Sequence, residues 1–168
     1  FYTGTTQNRP LWDKLMKQIK PGDTIIFDNS STVSAICKYI KKRKNVRIFT
    51  NNLNLCKELK DTDITVYCTG GEYFKKRDAF LGPYAENFLR SVHADSLFFS
   101  CKGLSDDGAI SDVSEMEISM RRTMMQHAEK SFFLCDSSKL STRYTFEFCK
   151  VTDVTDVICD KTLPDFTE

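Results

Sequence analysis

The chain alternates two kinds of apolar pattern. From Leu11 to Ile19 apolar residues fall at 11, 12, 15, 16 and 19, the spacing of a helix with one buried face, and Pro21-Gly22-Asp23 ends it. Thr24–Phe27 is short, apolar and β-branched, a strand covered on both faces, and Asp28 closes it. The pairing then recurs. Helical spacing returns over Ser31–Ile40, a strand over Val46–Phe49, a helix over Leu53–Leu59 and a strand over Ile64–Cys68. A helix is predicted over Gly82–Val92, with Pro83 suited to its first turn, and a strand over Ser96–Ser100. Ser105–Gly108 reads as a polar turn. Val113–His127 reads as a helix, although the Ser114/Glu117 capping spacing lets it begin a turn later. Strands follow at Ser131–Cys135, Thr145–Cys149 and Val157–Cys159; the alternation around Phe146 and Phe148 suits an edge or half-buried strand. Short strands separated by helices imply βαβ crossovers. The expectation is one doubly wound α/β domain over residues 1–168, its sheet mainly parallel with helices on both faces.

Composition narrows the function classes. The 24 basic and 23 acidic residues nearly cancel, so no global field draws this segment to nucleic acid. No apolar run approaches the roughly 18 residues that span a bilayer, which predicts a soluble domain with no membrane partner. Phe1-Tyr2-Thr3-Gly4 does not open a secretory signal. The seven cysteines, at 37, 56, 68, 101, 135, 149 and 159, are odd in number and show no zinc spacing. They read as reduced, packed thiols in a cytoplasmic protein.

Polar residues collect where strands end. Asp28-Asn29-Ser30-Ser31-Thr32, Thr50-Asn51-Asn52, Thr69-Gly70-Gly71 and Asp136-Ser137-Ser138-Lys139 each follow a predicted strand. In an open parallel sheet those ends line one crevice, where such folds bind ligands. Ser30, Ser31 and Thr32 sit where a helix begins and its N–H groups lack partners, an anion site; the alternative is that Ser31 only caps the helix. Asn51 and Asn52 offer amides to hydroxyl groups, or cap the next helix. Thr69-Gly70-Gly71 allows close backbone approach, or is a plain turn. Lys139 offers an ammonium to a phosphate, or is a surface lysine.

These clusters, taken with Gly22–Phe27, Gly82-Pro83-Tyr84-Ala85, Cys101-Lys102-Gly103-Leu104 and Gly108-Ala109-Ile110-Ser111-Asp112, resemble the C-terminal sensor domain of the DeoR family of bacterial transcription regulators. The resemblance covers nearly the whole chain. It implies a fold similar to ribose-5-phosphate isomerase and glucosamine-6-phosphate deaminase, and a phosphorylated sugar as ligand. By resemblance Ser30, Ser31 and Thr32 hold the phosphate, while Asp28, Asn51, Asn52, Lys102 and Lys139 touch the sugar or close the pocket. Asn29, Thr50, Thr69, Gly70, Gly71 and Gly103 complete the implied site. Where the family commonly has Asp-Ser-Gly-Ser-Thr, this chain has Asn29-Ser30, which raises the question of a left-handed backbone at Ser30. The family's winged helix-turn-helix is expected on a part of the parent protein outside this chain, so DNA is a partner only through that part. A homo-oligomer is expected, and no cofactor is implied.

An isomerase on the same scaffold is the alternative, since fold does not decide activity. Aldose–ketose isomerisation needs a carboxylate base and a partner acid. Leu97–Gly103 has no carboxylate, Asp106-Asp107 reads as a solvated turn, and Asp28 is left as the one carboxylate in a pocket motif. Glu115 and Glu117 could reach the pocket as paired carboxylates on the helix from Val113, but read as helix-surface residues, Glu117 with Arg121 as an ordinary i, i+4 pair. His93 and His127 read as surface or boundary residues. The basic run from Lys38 to Arg47 reads as a solvated helix end. A third possibility is an interaction module with an empty crevice. Stabilisation by sugar phosphates without turnover separates the sensor from both competitors.

Overall fold

The computed structural model describes residues 9–35 and 37–166. The opening tetrapeptide, the place of Ile36 on its helix and the packing of Cys37 lie outside the described residues and side chains. Helices are α1 (Arg9–Met16), α2 (Ser31–Ser34), α3 (Cys37–Ile40), α4 (Leu53–Glu58), α5 (Pro83–Leu89) and α6 (Glu115–Gln126). Strands β1 (Thr24–Phe27), β2 (Arg47–Thr50), β3 (Thr65–Cys68), β6 (Ala94–Phe99), β9 (Ala128–Cys135) and β11 (Asp156–Cys159) form one sheet in the order β11-β9-β6-β1-β2-β3. Every pairing in it is parallel. The chain winds outward from β1 in one direction through β2 and β3, then returns to pair β6 on the other side of β1. The winding therefore reverses between β1 and β6, which opens a crevice at their carboxyl ends.

Alternate strand residues feed two cores. Ile25, Phe27, Ile48, Phe98 and Phe132 meet Leu11, Trp12 and Leu15 of α1 with Val33, Ile40 and Leu55. Ile26, Leu97, Phe99 and Phe133 meet Ala85 and Leu89 of α5 with Ile118, Met120 and Met124 of α6. The unbroken apolar run of β1 is thus explained by burial on both faces. Arg43, from the basic run, donates to the carbonyls of Met16 and Ile19 and so caps the end of α1.

Three expectations change. The helix over Ser31–Ile40 is divided into α2 and α3. The helix predicted from Val113 begins at Glu115, because Ser114 takes the cap position and accepts the Glu117 N–H at 3.3 Å. Two small antiparallel units are added: a hairpin of β4 (Glu72–Phe74) and β5 (Ala79–Leu81), and a sheet of β7 (Gly103–Leu104), β8 (Ala109–Asp112) and β10 (Phe146–Lys150) in the order β10-β8-β7, of which the sequence pattern predicts only β10 as a strand. The others have two to four residues, too few to carry a clear period. Ser105–Gly108 is the turn between β7 and β8, with Asp107 exposed and held by Ser105 and Arg143, and β10 is an edge strand as the alternation implies. Of the cysteines, 101, 135, 149 and 159 are buried and Cys56 is half-buried, but Cys68 is exposed on the edge strand.

Candidate functional site

The crevice between β1 and β6 is organised by one carboxylate. Asp28 follows β1 and is fully buried. Its Oδ1 accepts from the Ser30 N–H at 3.0 Å and the Ser30 hydroxyl at 2.6 Å. Its Oδ2 accepts from the Ser100 N–H, just past β6, at 3.1 Å, and from Arg121 Nε at 2.9 Å. Four donors on two oxygens satisfy the buried charge and clamp the ends of both strands together. Arg121 also donates through Nη1 to Asp112 at 3.3 Å, and its side chain is 4% exposed. Glu117 and Arg121, one turn apart on α6, both face this crevice. Glu117 accepts from Asn29 Nδ2 at 2.8 Å and lies 3.8 Å from Arg77, on the turn of the β4–β5 hairpin.

This corrects two readings. Glu117 and Arg121 are not a solvent-facing pair; both are buried and each takes other partners. Asp28 is not alone, because Asp112 and Glu117 line the same cavity. Sequence distance hid them: 93 residues separate Arg121 from Asp28. The clue in the sequence is the pair Glu115 and Glu117 at the start of a helix that could reach the pocket.

The cavity has a volume of about 110 Å³ and is lined by Asn29, Ser30, Ser31, Arg77, Ser100, Cys101, Lys102, Asp112, Glu117, Arg121 and Lys139. Lys139 stands on a short 3-10 turn over Ser137–Lys139, capped by Asp136, which accepts from the Ser138 N–H at 2.9 Å. Its ammonium donates to Thr32 Oγ1 at 3.0 Å and to Ser100 Oγ, with the Asp136 carboxylate 4.0 Å away. Burial lowers the Lys139 pKa, opposed by the nearby negative groups. Burial likewise pushes the Cys101 thiol up to about 12, so this wall residue stays protonated at neutral pH.

The loop that opens α2 answers the question raised at Ser30. Ser30 is itself the cap, accepting the Val33 N–H at 3.2 Å, so the cap is not Ser31. Its φ is −66°, an extended conformation open to any residue, so no glycine is required. Ser31 is exposed at the cavity wall.

The implied residues divide by location. Asn29, Ser30, Ser31, Lys102 and Lys139 line the cavity, with Asp28 and Thr32 directly beneath. Asn51 is buried behind Asn29, donating to its Oδ1 at 3.4 Å and to the Phe80 carbonyl at 2.9 Å, while its own Oδ1 lacks a partner. Thr50 donates to the Phe27 carbonyl, and Asn52 caps α4 by accepting the Leu55 N–H. Thr69, Gly70 and Gly71 are not among the lining residues; Gly71, at φ 108°, lies so close to α5 that a Cβ would meet Ala85 N at 2.9 Å. Gly103 packs under the 142–144 segment, where a Cβ would lie 2.7 Å from the Thr142 carbonyl.

The domain is thus an α/β unit whose parallel sheet reverses its winding over a small polar cavity, with a half-buried ammonium at one end. Solved structures agree on the fold. Ribose 5-phosphate isomerase A from Methanocaldococcus jannaschii superposes with a TM-score of 0.58 at 13% identity, covering 80% of this chain and 53% of that one. The eIF2B-beta2-delta2 complex from Chaetomium thermophilum gives 0.63 at 11% identity, covering 93% and 56%. At these identities only the fold is shared.

The chain belongs to the DeoR C-terminal sensor domain family, whose family model matches residues 9–161. It is similar to the Bacillus subtilis HTH-type transcriptional regulator YulB, 29% identical over 162 residues, 96% of this chain and 62% of that protein. It is also similar to the L-fucose operon activator of Haemophilus influenzae, 28% identical over 98% of this chain and 66% of that one. A third relative is the putative aga operon transcriptional repressor of Escherichia coli O157:H7, at 26%, 95% and 60%. The chain thus spans about three fifths of the length of these relatives. They are named as regulators of transcription, whereas the isomerases are neighbours by fold. Among the described residues no helix is long and apolar enough to cross a membrane.

Proposed function

We propose that the cavity binds a phosphorylated sugar without transforming it, and that its occupancy alters DNA binding by a longer, cytoplasmic regulator. The observation that carries this reading is Lys139: a half-buried ammonium, held by two hydroxyls and no nearer than 4.0 Å to a carboxylate, beside the serine turn at 30–31. A partly desolvated cation so weakly compensated favours an incoming anion. Ser30, Ser31, Thr32, Lys102 and Lys139 take the phosphate in this reading, while Asn29 meets a sugar hydroxyl. A cavity of about 110 Å³ holds the phosphate and adjoining carbons. The remainder of the sugar displaces Arg77, whose side chain is 40% exposed at the mouth.

Three carboxylates do not make this site an isomerase. Asp28 and Asp112 are both bound to Arg121, and Glu117 accepts from Asn29, so each is already oriented by a neighbouring donor. A general base needs reach to a substrate proton. Coupling to DNA requires different affinities for two arrangements of the regulator, and a homo-oligomer whose subunits shift is the proposed carrier.

A thermal-shift screen of pentose and hexose phosphates beside their unphosphorylated parents tests the reading. At about a hundred times Kd a ligand adds roughly 2.7 kcal/mol. With an unfolding entropy near 2.1 cal/mol/K per residue, 168 residues convert this to a rise of about 8 °C. A phosphate-dependent rise without aldose–ketose conversion is expected. No rise with any phosphate, or turnover of one, overturns it.

A further inference from the structure

A larger groove runs along a different face of α6. Glu117 and Arg121 of that helix face the cavity, whereas Glu115, Met116, Ser119 and Arg122 line a groove of about 570 Å³. Pro83 and Glu86 of α5 form another wall. The start of β10 completes it, with Thr145, Phe146 and Glu147 all lining the groove. Successive side chains of a strand point to opposite faces, so three consecutive lining residues mean that the chain turns its edge towards the groove. That edge is free: β10 ends the order β10-β8-β7, and among the described residues it pairs only with β8.

The lining is apolar and acidic. Met116 is exposed, Phe146 is half-buried, and Tyr84, next to Pro83, is 84% exposed. Exposed apolar side chains beside a free strand edge mark a place where another chain can add. Three of the charged lining residues are carboxylates, Glu86, Glu115 and Glu147, and the fourth is Arg122, whose guanidinium lies 5.9 Å from the Phe148 ring centre. Glu86 accepts from the Ser119 and Thr123 hydroxyls at 3.0 and 3.1 Å. Glu115 and Glu147 are exposed, and among the described residues neither joins a salt bridge. Two copies meeting edge to edge through β10 would bring their Glu147 carboxylates together, which opposes self-pairing. A basic partner meets no such barrier. We propose that the groove takes an extended, lysine- or arginine-bearing segment of another protein as an added strand on β10. Main-chain hydrogen bonds to the strand edge supply affinity, alternate side chains pack on Phe146 and Met116, and the cations select by pairing with Glu147 and Glu115. Such a partner rests on the helix that also carries Glu117 and Arg121 into the cavity. This inference stands whether or not the cavity binds a sugar phosphate.

The test titrates the chain into a short fluorescent peptide of alternating lysine and valine and follows its anisotropy. Saturable binding is expected, competed by the unlabelled peptide and weakened as salt rises. A glutamate–valine peptide should not bind, and methylating every backbone nitrogen of the lysine–valine peptide should abolish its binding, because the donors to the strand edge are gone. Glu147→Lys, a change at an exposed position, should weaken the lysine–valine peptide by about 5-fold or more and admit the glutamate–valine peptide. Met116→Ser should weaken the lysine–valine peptide as well. Sedimentation of the unliganded chain should be the same with and without Glu147→Lys. No saturable binding, equal binding of the acidic or the N-methylated peptide, or a dimer that Glu147→Lys or Tyr84→Ser disperses, overturns the proposal; the last outcome would assign the groove to a second copy.

Discussion

Replacing Arg121 by methionine keeps most of the side chain's length and removes its charge. The guanidinium holds Asp28 at 2.9 Å and Asp112 at 3.3 Å, and all three side chains are 4% exposed or less. The variant leaves two carboxylates in the same buried pocket with no cation between them. Removing one member of a buried ion pair costs about 3–5 kcal/mol, because the remaining charge stays desolvated. At about 0.35 kcal/mol/K for a chain of 168 residues, the melting temperature should fall by about 9–14 °C. Thermal unfolding at pH 7, checked by urea titration, measures the loss. The triple variant Asp28→Asn, Asp112→Asn, Arg121→Met removes all three charges and should recover at least half of it. A loss under about 1 kcal/mol in Arg121→Met, or a triple variant less stable than the single one, refutes the view that this triad clamps β1 to β6.

Lys139→Ala should weaken binding of stabilising sugar phosphates by about 10- to 100-fold, the worth of a charge-assisted hydrogen bond, while leaving the melting temperature of the unliganded chain unchanged or higher. Equal affinity, measured by calorimetry, counts against the phosphate site. Because burial holds the Lys139 pKa below its unfolded value, the charged form is disfavoured on folding; that penalty is full below the folded pKa and fades as pH rises towards the ordinary lysine range. A bound phosphate reverses the shift, so binding should take up protons on the alkaline side. Titrations in two buffers of different ionisation enthalpy detect this, and identical heats there contradict it. Gly71→Ala places a Cβ at φ 108° and 2.9 Å from Ala85 N, and should cost about 1–3 kcal/mol in urea unfolding. A loss below about 0.5 kcal/mol indicates that the turn and α5 adjust freely.

Much of the architecture is legible along the chain, because it rests on local periodicity. Thr24–Phe27 is apolar at every position from Ile25 onward and sits at the centre of the sheet for that reason: both faces of β1 are covered. Asp28, Ser30 and Lys139 stand at strand ends, and a parallel sheet brings those ends to one edge whatever else the fold does. What tertiary structure alone decided is which polar residues share a cavity and which serve the frame. Thr50, Asn52 and Asn51 have the same residue types as a sugar site, yet Thr50 donates to the Phe27 carbonyl, Asn52 caps α4 and donates to Ser34, and Asn51 lies behind Asn29. Arg121 and Glu117 look like helix surface in the sequence; they reach Asp28 and Asn29 only because α6 docks over the point where the winding reverses. Periodicity reports which face of an element is buried. It carries no information about the element it meets, since that depends on contacts between residues dozens of positions apart.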